Sequence, residues 1–137
     1  MPSALLKQFP ASQRKKFVIN RNVFQKCLVL YAMDSWEEIA NDLIKLNRFN
    51  KENDDFIRQY TNGAIVLEVD VSNRLLLPKR LLDYAKISKD IVLSASLNKV
   101  EIWSLKLHND AMKNYDSEKF AALAEKVMSK REENNNG

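Results

Sequence analysis

Hydrophobic residues fall along this chain in two distinct periods. β-Rich runs set off by polar breaks occur at Phe17-Val-Ile19, Leu28-Val-Leu-Tyr31, Ala64 to Asp70, Arg74 to Leu77, Ile91-Val-Leu93 and Val100-Glu-Ile-Trp103, and each predicts a strand. Val71-Ser-Asn73 predicts a tight turn between the third and fourth runs. Asn20-Arg-Asn22 and Leu97-Asn-Lys99 predict hairpin reversals, because Asn tolerates the left-handed conformation. Helical spacing takes over elsewhere. Ser35 and Glu38 form a capping box that predicts a helix to about Leu46, with Trp36, Ile39, Ala40 and Leu43 on one face. A second helix is predicted from about Glu52 to Asn62, stopping at Gly63. A third carries Phe120, Leu123, Ala124, Val127 and Met128 behind Asp116-Ser117, an apolar stripe suited to a subunit interface. Residues 129–137 hold no apolar side chain and read as an unstructured tail.

The pattern repeats. Pro2-Ser-Ala-Leu-Leu-Lys-Gln-Phe9 matches Pro78-Lys-Arg-Leu-Leu-Asp-Tyr-Ala85, with Pro and both Leu in register. Each copy continues as short helix, strand, turn, strand, helix, with Pro expected at the first helical position. Two such hairpins expose edges unless they pair, so one repeat is expected to pack on the other. The thirteen residues Ala64 to Leu76 have no counterpart before Pro2, so the first copy is expected to lack its opening hairpin, through a truncated or misassigned start.

With 137 residues and 45% hydrophobic content, the chain makes one domain or two very small ones. No run approaches bilayer length and no leader opens the chain, which predicts a cytoplasmic protein. One cysteine excludes an internal disulfide, and with one histidine it cannot build a zinc site. Two glycines exclude a dinucleotide fingerprint or a P-loop. Cys27, Trp36 and Trp103 read as core, and His108, with Ser104 and Asp110 near in sequence, lacks a nucleophile turn. No enzyme is expected. The net charge of +4 is unevenly spread: residues 1–33 carry +6 with no acid, 34–62 carry −3, 63–106 carry +2 and 107–137 carry −1. The basic blocks hold the strands and the acidic blocks the helices, which suits a polyanion partner. Two solvated faces of opposite sign would look the same on charge alone.

Asp70-Val-Ser-Asn-Arg74 followed by Leu-Leu-Leu-Pro78, then Leu81, Tyr84-Ala85, Val92-Leu93 and Glu101-Ile-Trp103, resembles the second half of MraZ proteins. Phe17-Val-Ile19, Leu28 to Tyr31 and Trp36 resemble the first half, so the resemblance covers about residues 1–110. These are bacterial transcriptional regulators of the division and cell-wall gene cluster. The resemblance implies an α+β fold: two AbrB-like swapped-hairpin repeats forming one small double-psi-like β-barrel, with flanking amphipathic helices. The boundaries follow as 1–47 for the incomplete first repeat with its helix, 48–62 for a connecting helix and 63–109 for the second repeat. Residues 110–131 form a C-terminal helical region and 132–137 a disordered tail.

The partners implied are double-stranded DNA and further copies of the chain in a ring, with no cofactor, membrane or small-molecule substrate and a nucleoid-associated location. Asp70 and Arg74 form this chain's one complete Asp-x-x-x-Arg motif, with Asp70 orienting Arg74, the DNA reader. Asn73, also expected to contact DNA, stands where the family usually has Gly, and Leu82 and Leu6 stand where it often has Arg. Lys79 and Arg80 at the post-proline helix start, with Lys15 and Lys16, are expected to contact phosphate. The competing expectation is a homo-oligomeric interaction module that binds DNA poorly for want of the first hairpin.

Overall fold

In a computed structural model, residue 7 and residues 9–96 and 99–136 are described. A 3-10 turn, Ala11–Gln13, precedes β1 (Lys16–Arg21) and β2 (Leu28–Ala32). Helices α1 (Met33–Ile44) and α2 (Lys51–Asn62) follow, then β3 (Ile65–Glu68), the short α3 (Lys79–Tyr84), β4 (Ile91–Ser96) and β5 (Lys99–Ser104). Two helices end the chain, α4 (Leu105–Lys113) and α5 (Ser117–Asn136). The fold is α+β, and the strands form one antiparallel sheet in the order β3-β1-β2-β5-β4.

Strand alternation explains the core. Phe17, Ile19, Leu28 and Leu30 point to one face, where Leu81, Ala85, Phe9, Val100 and Ile102 complete a buried cluster. Val18, Asn20 and Val29 alternate with them and are buried too, on the side where Asn20 Nδ2 donates to the Tyr60 carbonyl of α2 at 3.0 Å. Tyr31, Trp36, Tyr60 and Phe56 form a run of ring contacts there, with centroids 5.7–5.8 Å apart. The β1–β2 hairpin pairs Phe17 with Ala32 and Ile19 with Leu30, while β4–β5 pairs Ile91 with Ser104 and Leu93 with Ile102. The two hairpins join through β2 and β5, Leu28 opposite Ile102 and Leu30 opposite Val100.

Several expectations are corrected. No Ser35–Glu38 capping box opens α1. The helix starts three residues earlier with Ala32 at its N-cap, and the Asp34 N–H donates to Gln13 Oε1 at 3.1 Å. A side chain distant in sequence does the capping. The reversal placed at Asn20-Arg-Asn22 lies later: Asn20 and Arg21 belong to β1, and the Asn22 side chain accepts from the N–H groups of Phe24 and Gln25. Helix α2 stops at Gly63 without a left-handed cap, since Gly63 has φ −83°. Pro78 is the N-cap of α3 rather than its first residue. Arg74 to Leu77 alternates, Leu75 and Leu77 packing on the core and Leu76 exposed, but among the described residues no ladder assigns it to a strand. The segment read as a tail continues α5 to Asn136; Lys130 to Glu133 favour helix without apolar neighbours. The Pro2 helix and the centre of the Leu97-Asn-Lys99 turn lie outside the described residues.

The chain divides into two compact units, one running to Leu105 and the other from Lys106. In the second, Asp116 Oδ1 accepts the Lys119 N–H at 2.8 Å and so caps α5, along which Phe120, Leu123, Val127 and Met128 are exposed.

Candidate functional site

The turn after β3 is built by its own first residue. Asp70 Oδ1 accepts the backbone N–H of Ser72 at 2.8 Å and of Arg74 at 2.9 Å, and the Asp70 carbonyl accepts the Asn73 N–H at 3.0 Å. The Asp70 N–H donates to the Arg74 carbonyl at 3.0 Å, closing the loop from the other side. Closure at this length needs one left-handed residue, and Asn73 supplies it at φ 60°. Asn therefore takes the position at which glycine would be unstrained.

The second carboxylate oxygen of Asp70 receives Arg74 Nε at 3.2 Å. Holding the guanidinium by Nε orients its two terminal nitrogens outward, and the Arg74 side chain is 76% exposed. The Arg74 backbone N–H does most to hold the Asp70 carboxyl below the usual carboxylate range; the Ser72 N–H and the Arg74 guanidinium add to it against an opposing desolvation. At neutral pH the site is thus a carboxylate fixing a cation, with the donor fork turned to solvent.

Sheet pairing brings more cations to the turn. The Val69 N–H donates to the Lys15 carbonyl at 2.8 Å, and Lys16 lies opposite Glu68, with Nζ 3.6 Å from its carboxylate. Arg14, Lys15 and Lys16 consequently share with Asp70, Val71 and Asn73 the lining of a cleft of about 370 Å³. Arg14 was missed in the sequence, although it stands in the acid-free block beside Lys15. Its Nε is used to hold the Phe9 carbonyl at 2.9 Å, so it adds field rather than a free donor fork. Lys79 and Arg80 are not brought into this cluster. They are exposed at the start of a six-residue helix whose last residue, Tyr84, donates to the Asn22 carbonyl at the far end of β1.

The other candidate chemistry is quiet. Burial foremost, then the nearby Glu101 charge, pushes the Cys27 thiol up to about 12, so it is a neutral core group. Burial likewise raises the Tyr31 phenol, which shares a hydrogen bond with Tyr60. Among the described residues no three His, Cys, Asp or Glu side chains are placed to hold a metal, and no helix is long and apolar enough to cross a membrane.

Comparison with known proteins agrees on one family. Residues 61–131, which contain the turn, match the family described as "MraZ protein, putative antitoxin-like". A Flavobacterium psychrophilum protein named transcriptional regulator MraZ is 46% identical over 93% of this chain and 81% of its own length. One of the same name from Christiangramia forsetii is 47% identical over 93% and 82%. Another, from Caldanaerobacter subterraneus, is 34% identical over 81% and 76%. On that coverage and identity, the chain belongs to the MraZ family of transcriptional regulators.

Proposed function

We propose that this regulator acts by binding duplex DNA sequence-specifically through the Asp70–Arg74 turn. The observation that carries the reading is the Arg74 guanidinium, held at Nε by Asp70 and exposed, beside a cleft lined by three basic residues. A guanidinium fixed on that side presents its outer edge to guanine O6 and N7 as a bidentate donor. Asp70 positions it, Asn73 sets the turn, and Lys15 and Lys16 neutralise phosphate on either side. Lys79 and Arg80 add phosphate contacts farther along the chain.

The assembly that serves this function is a ring of copies, in which each chain contributes few base contacts and tandem sites supply avidity. Two features support it: the exposed Phe120, Leu123, Val127 and Met128 of α5, and the run 74–77, which has the alternation of a strand and no ladder among the described residues. Pairing of that run with a second hairpin would close the sheet into the swapped-hairpin barrel. The equivalent registers of β1–β2 and β4–β5 support two repeats within the chain. The target is the division and cell-wall gene cluster, including the protein's own promoter, and the protein works in the cytoplasm on the nucleoid.

Fluorescence anisotropy tests this with the duplex upstream of the reading frame, a scrambled duplex of equal length and two salt concentrations. The native duplex should bind more tightly, the affinity should fall steeply with salt, and Arg74→Ala should erase the preference. Equal, weak binding of both duplexes by the unaltered chain would refute the reading.

A further inference from the structure

We infer that Val71 is a specificity-determining residue of the turn, its side chain reading the 5-methyl group of a thymine beside the base that Arg74 contacts. The inference rests on the DNA-binding reading above and extends it from the charged groups to an apolar one.

Val71 is the residue that the turn does not need. Turns of this kind favour Gly, Pro, Asn, Asp and Ser, and here the bonds described above that shape the loop run among Asp70, Ser72, Asn73 and Arg74. Val71 is fully exposed, at 105%, whereas Val69, Leu75 and Leu77 on the flanking segments pack against the core. Its backbone is nonetheless fixed, because the residue on either side is tied to the Asp70 carboxylate or belongs to it. A β-branched side chain has few rotamers to lose on contact. The result is a small, stiff, apolar knob directly after Asp70 and three residues before Arg74.

Its surroundings select the partner. Val71 lines the same cleft as Arg14, Lys15 and Lys16; Glu68 and Asp70 line it too, but each is paired with a cation, Lys16 and Arg74, and the positive surplus left there suits a partner that is polyanionic nearby and apolar at the point of contact. Thymine's methyl is the apolar group that the major groove displays, and apolar side chains contact it. The flanking Ser72 and Asn73 are polar and exposed, so the apolar area at the tip is one residue wide, well short of a protein interface core.

The test uses the full chain, its Val71→Ala variant and its Arg74→Ala variant. Duplexes are enriched from a random pool by the full chain, and the best is resynthesised with deoxyuridine replacing each thymine in turn, which removes only the methyl. At one thymine the unaltered chain should lose about fourfold in affinity, the worth of one buried methyl-sized group. Val71→Ala should lose a similar factor on the thymine duplex and be indifferent to deoxyuridine there. Indifference of the unaltered chain to every replacement, or a methyl effect that survives in Val71→Ala, would overturn the inference. If Arg74→Ala still abolished selective binding in those cases, the DNA reading would stand without it. If Arg74→Ala bound every duplex as the unaltered chain does, both would fall. A Val71→Ala variant that changes the mass of the assembly in solution and not the methyl effect would place Val71 between copies and overturn the inference equally.

Discussion

Replacing Gly63 by alanine should destabilise the sheet unit, against the usual sign for such a change. Gly63 has φ −83° and ψ −18°, a conformation open to any residue. On backbone grounds alone alanine would stabilise by about 0.4–1 kcal/mol through the unfolded chain. Space decides otherwise. A Cβ at Gly63 would lie 2.6 Å from Asn20 Oδ1 and 2.8 Å from Arg21 Nε. Arg21 is the flexible neighbour, but Asn20 is only 1% exposed and tied at both ends: Nδ2 donates to the Tyr60 carbonyl at 3.0 Å, and Oδ1 accepts the Arg21 N–H at 2.8 Å. Moving the oxygen away breaks at least one bond worth about 1 kcal/mol, and crowding a packed site costs about 1–3 kcal/mol. After the backbone gain, Gly63→Ala should be less stable by about 1–3 kcal/mol. Urea unfolding followed by the fluorescence of Trp36 and Trp103, both in the sheet unit, measures this. In an Asn20→Ser background the same change should cost at least about 0.5 kcal/mol less, since the two sites share the contact. A Gly63→Ala protein as stable as the unaltered chain, or more so, would refute the close-approach argument.

Three further outcomes follow from the same geometry. Asp70 is a carboxyl with a lowered folded pKa, so the bonds it accepts are present above its unfolded value of about 4 and are lost as pH falls through the lower folded value. The amide resonances of Ser72 and Arg74 should therefore hold their positions from neutral pH to about pH 4 and move below it, and a shift centred at pH 6 would contradict the assignment. Cys27, raised to about 12, should resist alkylation in the folded protein at alkaline pH and react once urea unfolds it. Stability should decline as pH rises above about 8.5, where only the unfolded chain loses the proton, and Cys27→Ala should remove that slope below about pH 10, above which the raised Tyr31 phenol adds a decline of its own. Asn73→Gly should be tolerated at the left-handed position, while Asn73→Ala should cost about 1 kcal/mol in thermal unfolding and weaken DNA selection.

What could be read from the sequence depended on how far apart the interacting residues lie. The Asp70–Arg74 turn was legible because its bonds span no more than four residues. The four strands of the two hairpins were legible because their apolar runs are strong, and in β1 and β2 both faces are buried. The start of α1 was not, since the Gln13 side chain that receives the Asp34 N–H lies twenty-one residues away. The reversal after β1 was misplaced for a similar reason. Asn20 looks like a turn residue, but its amide is spent on the Tyr60 carbonyl forty residues on, which keeps it in the strand. The run 74–77 carries the pattern of a strand without a ladder among the described residues, because pattern reports which face is apolar and not whether a neighbour exists to pair with.

That difference in range divides the proposed labour. The orientation of Arg74 is set within the turn, by a carboxylate four residues earlier. The cations beside it arrive through the sheet, by the pairing of β1 with β3 that sets Lys16 opposite Glu68 and Lys15 against Val69. Changes within the turn should therefore alter which sequence is chosen and leave non-specific affinity in place. Changes to Lys15 or Lys16 should do the reverse, weakening all duplexes alike and lowering the salt slope by about one unit per charge removed. A lysine substitution that changed sequence preference without changing the salt slope would show that the two layers are not separable.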